Sequence, residues 1–264
     1  MIRSIYSAAT GMKAQQMYVD NISNNLANVN TVGYKKSRLE FQDLIYQTIE
    51  EPGETLSNDN VNPTGLQVGL GVTVAGNQKL FTQGNVIQTD QKFDFAIQGD
   101  GFFQVMRPDG TLGYTRDGSF KISDQGVITN TEGYAIEPEI ILPSDADVES
   151  FSIDENGGIS VKMLGESNMQ QIGQLDLARF VNPAGLKNIG GNLYVASPAS
   201  GSPIVTPPGQ DNMGSIAQGK LETSNVMIVE EMVNMIMAQR AYEIASKGVT
   251  TSDEMLQIAN QLKR

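Results

Sequence analysis

Cysteine, histidine and tryptophan are all absent from this chain of 264 residues. Without cysteine there is no disulfide framework, thiolate nucleophile or Cys/His metal site, and without histidine no Ser-His-Asp triad. A cysteine-free chain suits any redox compartment, an oxidising one included. Long apolar runs are missing too. The most apolar stretch, VMIVEEMVNMIMA (226–238), is too short and too charged to span a bilayer, so direct membrane insertion is not expected. Residues 1–20 hold polar Ser, Thr, Lys and Gln where a secretory leader needs an apolar centre. The chain therefore reads as cytosolic, or as exported by a route that reads no cleavable peptide. Basic residues are scarce, 18 against 30 acidic, for a net charge of −12. Residues 1–36 carry Arg3, Lys13, Lys35 and Lys36 against Asp20, and residues 220–264 are close to neutral, so the middle holds the acidic excess. That distribution argues against nucleic acid or an anionic membrane as the main partner.

What is present falls into three regions. From Ile5 the positions Ile5, Ala8, Met12, Gln15, Val19, Ile22, Leu26 and Val29 step by three and four, and all but Gln15 are apolar. This is a heptad seam, and residues 3–29 would make a helix of about 40 Å. Near the other end Val226, Val229, Val233 and Ile236 keep the same spacing. The phase then slips by one, and Ala241, Ile244, Gly248, Thr251, Met255, Ile258 and Leu262 continue it more weakly. Ser224 and Asn225 are the expected N-caps. Both stripes are narrower than the face of an ordinary core helix, which favours a coiled coil within or between chains.

The middle changes character. Residues 31–75 are irregular and rich in Asn, Gly, Thr and Pro. From about 76, short alternating runs are separated by turn signals: FFQVMR-PDG-TLGYTR, SFKIS-DQG-VITN and FSID-ENGG-ISVKM. These spell hairpins. The expected fold class is α+β: a discontinuous helical coiled-coil domain from residues 1–30 and 222–264, a linker or second-layer segment over 31–75, and an inserted sandwich- or barrel-like β domain over 76–221.

Signals for chemistry are weak. DADVE (145–149) and DENGG (154–158) lack the residue order of a calcium loop and read as acidic turns. GLGVTV (69–74) lacks the third glycine of a dinucleotide fingerprint. Asn21-Ile22-Ser23 matches a glycosylation acceptor but sits in the middle of a helix. No spacing selects a pair of carboxylates, so no catalytic residue, cofactor or metal is expected.

One stretch remains odd. SNNLANVNTVGYK (23–35) loads a helix end with asparagine, a mediocre helix former, and then continues into a glycine. This run resembles the N-terminal signature of the bacterial flagellar rod and hook proteins, the axial family. QGKLETSNVMIVEEMVNMIMAQRAYE (218–243), LFTQGNVIQTDQKFDFAIQGDGFFQVMRPDGTLGYTRDGSFKISDQGVITNTEGYAI (80–136) and FVNPAGLKNIGGNLYVASPASG (180–201) are similar to further family motifs. They cover nearly the whole chain. Its length and FQDLIYQTIEEPG (41–53) resemble the distal rod type, and Ser23 stands where the family usually has Ala.

The resemblance implies a structural subunit that assembles helically with copies of itself into a hollow, torque-transmitting rod of the basal body. It implies as partners the proximal rod proteins, the hook protein, the surrounding periplasmic and outer-membrane ring bushing and the flagellar type III export apparatus. It also implies a periplasmic position reached without a cleavable leader. Within that frame the expected subunit-contact residues are Ile5, Met12, Val19, Ile22, Leu26, Val226, Val229, Val233, Ile236, Ile244, Met255 and Ile258 on the seams, with Asn24, Asn25 and Asn28 beside them. The asparagines fall off the seam, on a face expected to be solvated in a monomer. There their amides would donate and accept across subunits, or cap the helix end. Tyr46, Gln47, Thr48, Ile49, Glu50, Glu51, Pro52 and Gly53 form an expected stiffening segment. Other readings stay open at this point: a proximal rod or hook subunit, a secreted β-domain binding module with oligomerising helical ends, or an enzyme such as a glycan hydrolase.

Overall fold

The computed structural model describes residues 2–52, 55–56, 60–61, 64–165 and 168–262. The chain is α+β, with a helix near each end and many strands in small sheets. It forms two compact units. One contains residues 1–27, 37–78 and 227–264; the other contains 28–36 and 79–226. The segment after the first turn thus belongs mainly with the helices.

In the first unit, helix α1 (Ile2–Ala27) runs against helix α2 (Ile228–Gln261). Ser4 lies 3.1 Å from Ser252 through their hydroxyls, a Cβ on Gly248 would sit 3.8 Å from that of Ala8, and Asn25 bonds to Glu231. Each step forward along α1 is matched by an equal step backward along α2, so the pairing is antiparallel and in register. Proline-free heptad spacing carries α1 without interruption. Helix α2 begins one turn later than its expected caps. Met227 is the N-cap and makes no side-chain cap bond, while Glu230 and Glu231 set negative charge in the first turn, where it complements the helix dipole. Strand Ser37–Asp43 pairs with Val72–Lys79, and Tyr46–Glu50 with Leu66–Gly69.

In the second unit, the hairpins announced by PDG, DQG and ENGG all form. Leu112–Thr115 returns on Phe103–Met106, Ile128–Thr129 on Lys121–Ile122 and Gly158–Met163 on Ala146–Ile153. The first belongs to a five-stranded sheet completed by Ile136–Glu137, Leu193–Val195 and Lys187–Gly190; the third belongs to a three-stranded sheet with Met169–Gln174. Of the expected sandwich or barrel, the barrel is corrected: among the described residues no sheet closes into one. The core lies between these small sheets, where Phe95, Ile97, Phe103, Val105, Phe120, Ile159, Leu175 and Leu177 are buried together. Each contributes roughly 1.5–3 kcal/mol by leaving water. A second cluster gathers Phe102, Tyr114, Phe180 and Tyr194 in edge-to-face contacts.

Candidate assembly surface

The two helices bury their stripes differently. On α1 the expected seam faces inward: Ile22 is buried, and Ile5, Met12, Val19 and Leu26 are half-buried. On α2 the expected seam faces outward. Val229 is 75% exposed and Ile244 70%, and Val233, Ile236, Met255 and Ile258 are about half exposed. Val226 is buried, but it precedes the helix and belongs to the β unit. Residues buried on α2 are Glu231, Ala238 and Ser252, with Ala241 and Ala245 half-buried between them. The expected α2 seam therefore lies away from α1. Small residues let two helices approach closely, and they carry so little hydropathy that the apolar spacing of α2 tracks the opposite face.

That opposite face carries an apolar stripe over the first half of the 34-residue helix. Val229, Met232, Val233, Ile236, Met237 and Ile244 are all exposed on it. Isolated exposed apolar residues are ordinary, whereas a contiguous row marks an interaction surface.

The asparagines separate. Asn24 is exposed and Asn28 half-buried in the turn after α1, where its side-chain oxygen accepts the Thr31 hydroxyl at 3.2 Å. Asn21 and Asn25 are buried. Asn25 Oδ1 accepts the Ser37 N–H at 2.9 Å, and its Nδ2 donates to the Ser37 carbonyl at 2.8 Å and to Glu231 Oε2 at 3.1 Å. Asn21 Nδ2 donates to the same carbonyl at 2.9 Å. The expected solvated asparagine face is thus corrected for Asn25, and Asn21 one turn before it is buried as well. Their amides bond both backbone groups of the first residue of strand Ser37–Asp43, a buried serine.

The TVGYK half of the motif belongs to the β unit. Gly33 has φ of +68°, and its N–H donates to the Glu222 carbonyl at 2.8 Å. Asn225, expected as a cap, instead accepts the Lys36 N–H at 2.7 Å and donates to the Leu80 carbonyl at 2.9 Å. Beneath this turn Lys35 Nζ donates to Glu222 Oε1 at 2.5 Å, and Arg116 Nη1 to Glu222 Oε2 at 3.3 Å. All three side chains are buried. Burial pulls the Lys35 ammonium below the usual lysine range, with the Glu222 carboxylate acting in the opposite direction; Arg116 is lowered for the same reason. Sequence reading missed this cluster. Its members lie inside the matched motifs, yet Lys35 and Glu222 are 187 residues apart, and no local spacing announces such a pair.

The expected stiffening segment is a surface ribbon. Tyr46, Gln47, Thr48, Ile49 and Glu50 form an exposed strand paired antiparallel with Leu66–Gly69, and Glu51 and Pro52 follow, also exposed. Gly53 lies outside the described residues. Among the described residues no group of acidic side chains is arranged to hold a metal, and no helix is long and apolar enough to cross a membrane.

An outward apolar stripe on paired terminal helices is the mark of an assembling structural subunit. Three family profiles match in order: "Flagella basal body rod protein" over residues 5–35, "Flagellar hook protein FlgE/F/G D1 domain" over 96–161 and "Flagellar basal body rod FlgEFG protein C-terminal" over 217–262. The chain is 49% identical to the flagellar basal-body rod protein FlgG of Borreliella burgdorferi, with both chains covered completely. It is 44% identical to that of Caulobacter vibrioides over 99% of this chain and all of the relative, and 40% to that of Bacillus subtilis over the whole of both. The chain belongs to the flagellar basal-body rod protein family. Within it the chain is a structural subunit of the distal rod type and not an enzyme.

Proposed function

We propose that copies of this chain polymerise helically into a hollow, rigid drive shaft whose inner wall is made by α1 and α2. The observation that carries this reading is the exposed row Val229, Val233, Ile236 and Ile244 on α2. It needs a partner, and α1 does not supply one. Helices of neighbouring copies cover it in coiled-coil fashion, and a contact that joins two different surfaces builds an open helix where its rotation closes no ring. Asn24, exposed beside the buried Asn25, reaches a neighbouring copy. The ribbon Tyr46–Glu50 forms a second layer that locks adjacent copies and gives the stiffness that torque transmission needs.

In this reading the proximal rod adjoins one end of the shaft and the hook the other. The periplasmic and outer-membrane rings surround it. The chain reaches the periplasm unfolded through the type III export apparatus, its helices ordering fully on bundling with neighbours.

The experiment is sedimentation and electron microscopy of the purified chain against concentration, with Val233→Asp and Ile236→Asp alongside. Tubes from the wild type and none from the variants support the reading. Small closed oligomers from all three would overturn it. Deleting residues 46–53 is expected to give a chain that is exported but builds a bendable or unstable rod; a rigid rod from that deletion removes the second-layer role.

A further inference from the structure

The β unit carries a pocket of about 400 Å³. Phe81, Phe102 and Phe180 line it together with Arg116, Arg179 and Asp100. Val181 stands in its lining at 83% exposure. None of these residues belongs to the helical surface described above.

Behind the pocket the charges do not balance. Lys35 and Arg116, both buried, share the single carboxylate of Glu222. That carboxylate also accepts the Gly84 N–H at 2.7 Å. Lys35 places a further proton on the Thr82 carbonyl at 2.7 Å. Arg116 is only 3% exposed, lies over the Phe102 ring and has a buried Nε with no hydrogen-bond partner among the described residues. Asp100, at the exposed side, draws on Arg116 electrostatically without an ion-pair contact. Buried charges in folded proteins are paired, because leaving one uncompensated is unfavourable by several kcal/mol. With Arg179 included, the group holds three cations against the two carboxylates of Glu222 and Asp100, so it is short of one anion.

We propose that this pocket docks a carboxylate-bearing segment of a second copy of the chain. A carboxylate matches the guanidinium donors in charge and geometry. The chain itself supplies such groups in excess, at a net charge of −12, and its family self-assembles. A free anion would leave Val181, 83% exposed, in water, whereas a protein segment covers it. A pocket that receives a different part of its neighbour is a heterologous contact, the kind that builds an open helix where its rotation closes no ring. This contact is separate from the α2 stripe and does not rest on it.

The test uses full-length chain in assembled rods. A photo-crosslinking residue replaces Val181, and the adducts are identified by mass spectrometry. The expected adduct joins position 181 to an Asp- or Glu-containing segment of another copy. Adducts confined to the same copy, to an uncharged segment or to a different protein overturn the proposal. In parallel, Arg179→Glu is expected to raise the concentration needed for assembly by about tenfold. Thermal unfolding should be unchanged, and Lys121→Glu on an exposed hairpin should assemble as the wild type does. Equal effects from both substitutions, or no effect from Arg179→Glu, overturn it. Acetate that occupies the pocket without inhibiting assembly would mark a small-anion site and also overturn it.

Discussion

The side-chain amide of Asn25 holds both backbone groups of Ser37, accepting from its N–H at 2.9 Å and donating to its carbonyl at 2.8 Å. A helix residue thereby does for the first residue of a strand what a neighbouring strand would do. The same Nδ2 reaches Glu231 on α2, so one side chain ties α1, α2 and strand Ser37–Asp43 together. Asn25→Leu removes all three bonds and leaves the groups buried. We expect a loss of about 2–4 kcal/mol in urea unfolding. Asn24→Ala, at an exposed site, should stay within about 0.5 kcal/mol and show its effect in assembly.

Gly33 answers for the other half of the same motif. At φ +68° a Cβ there would lie 2.6 Å from the Asp117 nitrogen and 2.7 Å from the Arg116 carbonyl carbon. Gly33→Ala meets both an unfavourable backbone region and a clash with main chain that cannot yield. The expected loss exceeds about 1 kcal/mol, read as a lowered urea midpoint with an unchanged slope.

The two faces of α2 predict opposite phenotypes. Ala238, 2% exposed, sits where a larger side chain has no room, so Ala238→Leu should destabilise the chain by about 1–3 kcal/mol through overpacking. Val233→Asp replaces a half-exposed valine and should leave the unfolding curve nearly unmoved while abolishing polymerisation. Calorimetry and sedimentation on the same samples separate the two effects. A Val233→Asp chain that still forms tubes would remove the stripe from the interface.

Lys79 gives a pH signature. Burial lowers its ammonium from 10.5 to about 8, although Nζ lies 4.1 Å from the Tyr34 ring centroid and donates to the Lys35 carbonyl at 2.8 Å. Below pH 8 both folded and unfolded chains hold this proton, and the folded chain bears the desolvation of the charge. Between about 8 and 10.5 the unfolded chain binds more protons than the folded one, so Lys79 makes stability rise with pH across that window. Unfolding free energies of the wild type and Lys79→Gln, measured from pH 7 to 10.5, should differ by an amount that changes in that direction. A constant difference would show that the lysine is not desolvated.

Much was legible in the chain itself. The spacing of Ile5, Met12, Val19 and Ile22 fixed both the existence of α1 and the face it buries, because a helix of period 3.6 gives strong apolar residues little choice of side. The turns PDG, DQG and ENGG fixed three hairpins, since turn geometry is local. The order of the motifs along the chain points to the family without tertiary information. Tertiary structure alone decided the rest. The face of α2 toward α1 is built from Ala238, Ala241, Ala245 and Ser252, residues whose low hydropathy is silent in a periodicity analysis. Asn25 with Ser37, and Lys35 with Glu222 and Arg116, are pairings over distances in sequence that no local pattern encodes. Local stereochemistry chose the elements; close packing and the pairing of buried polar groups chose which surfaces were used within the molecule and which were left facing outward.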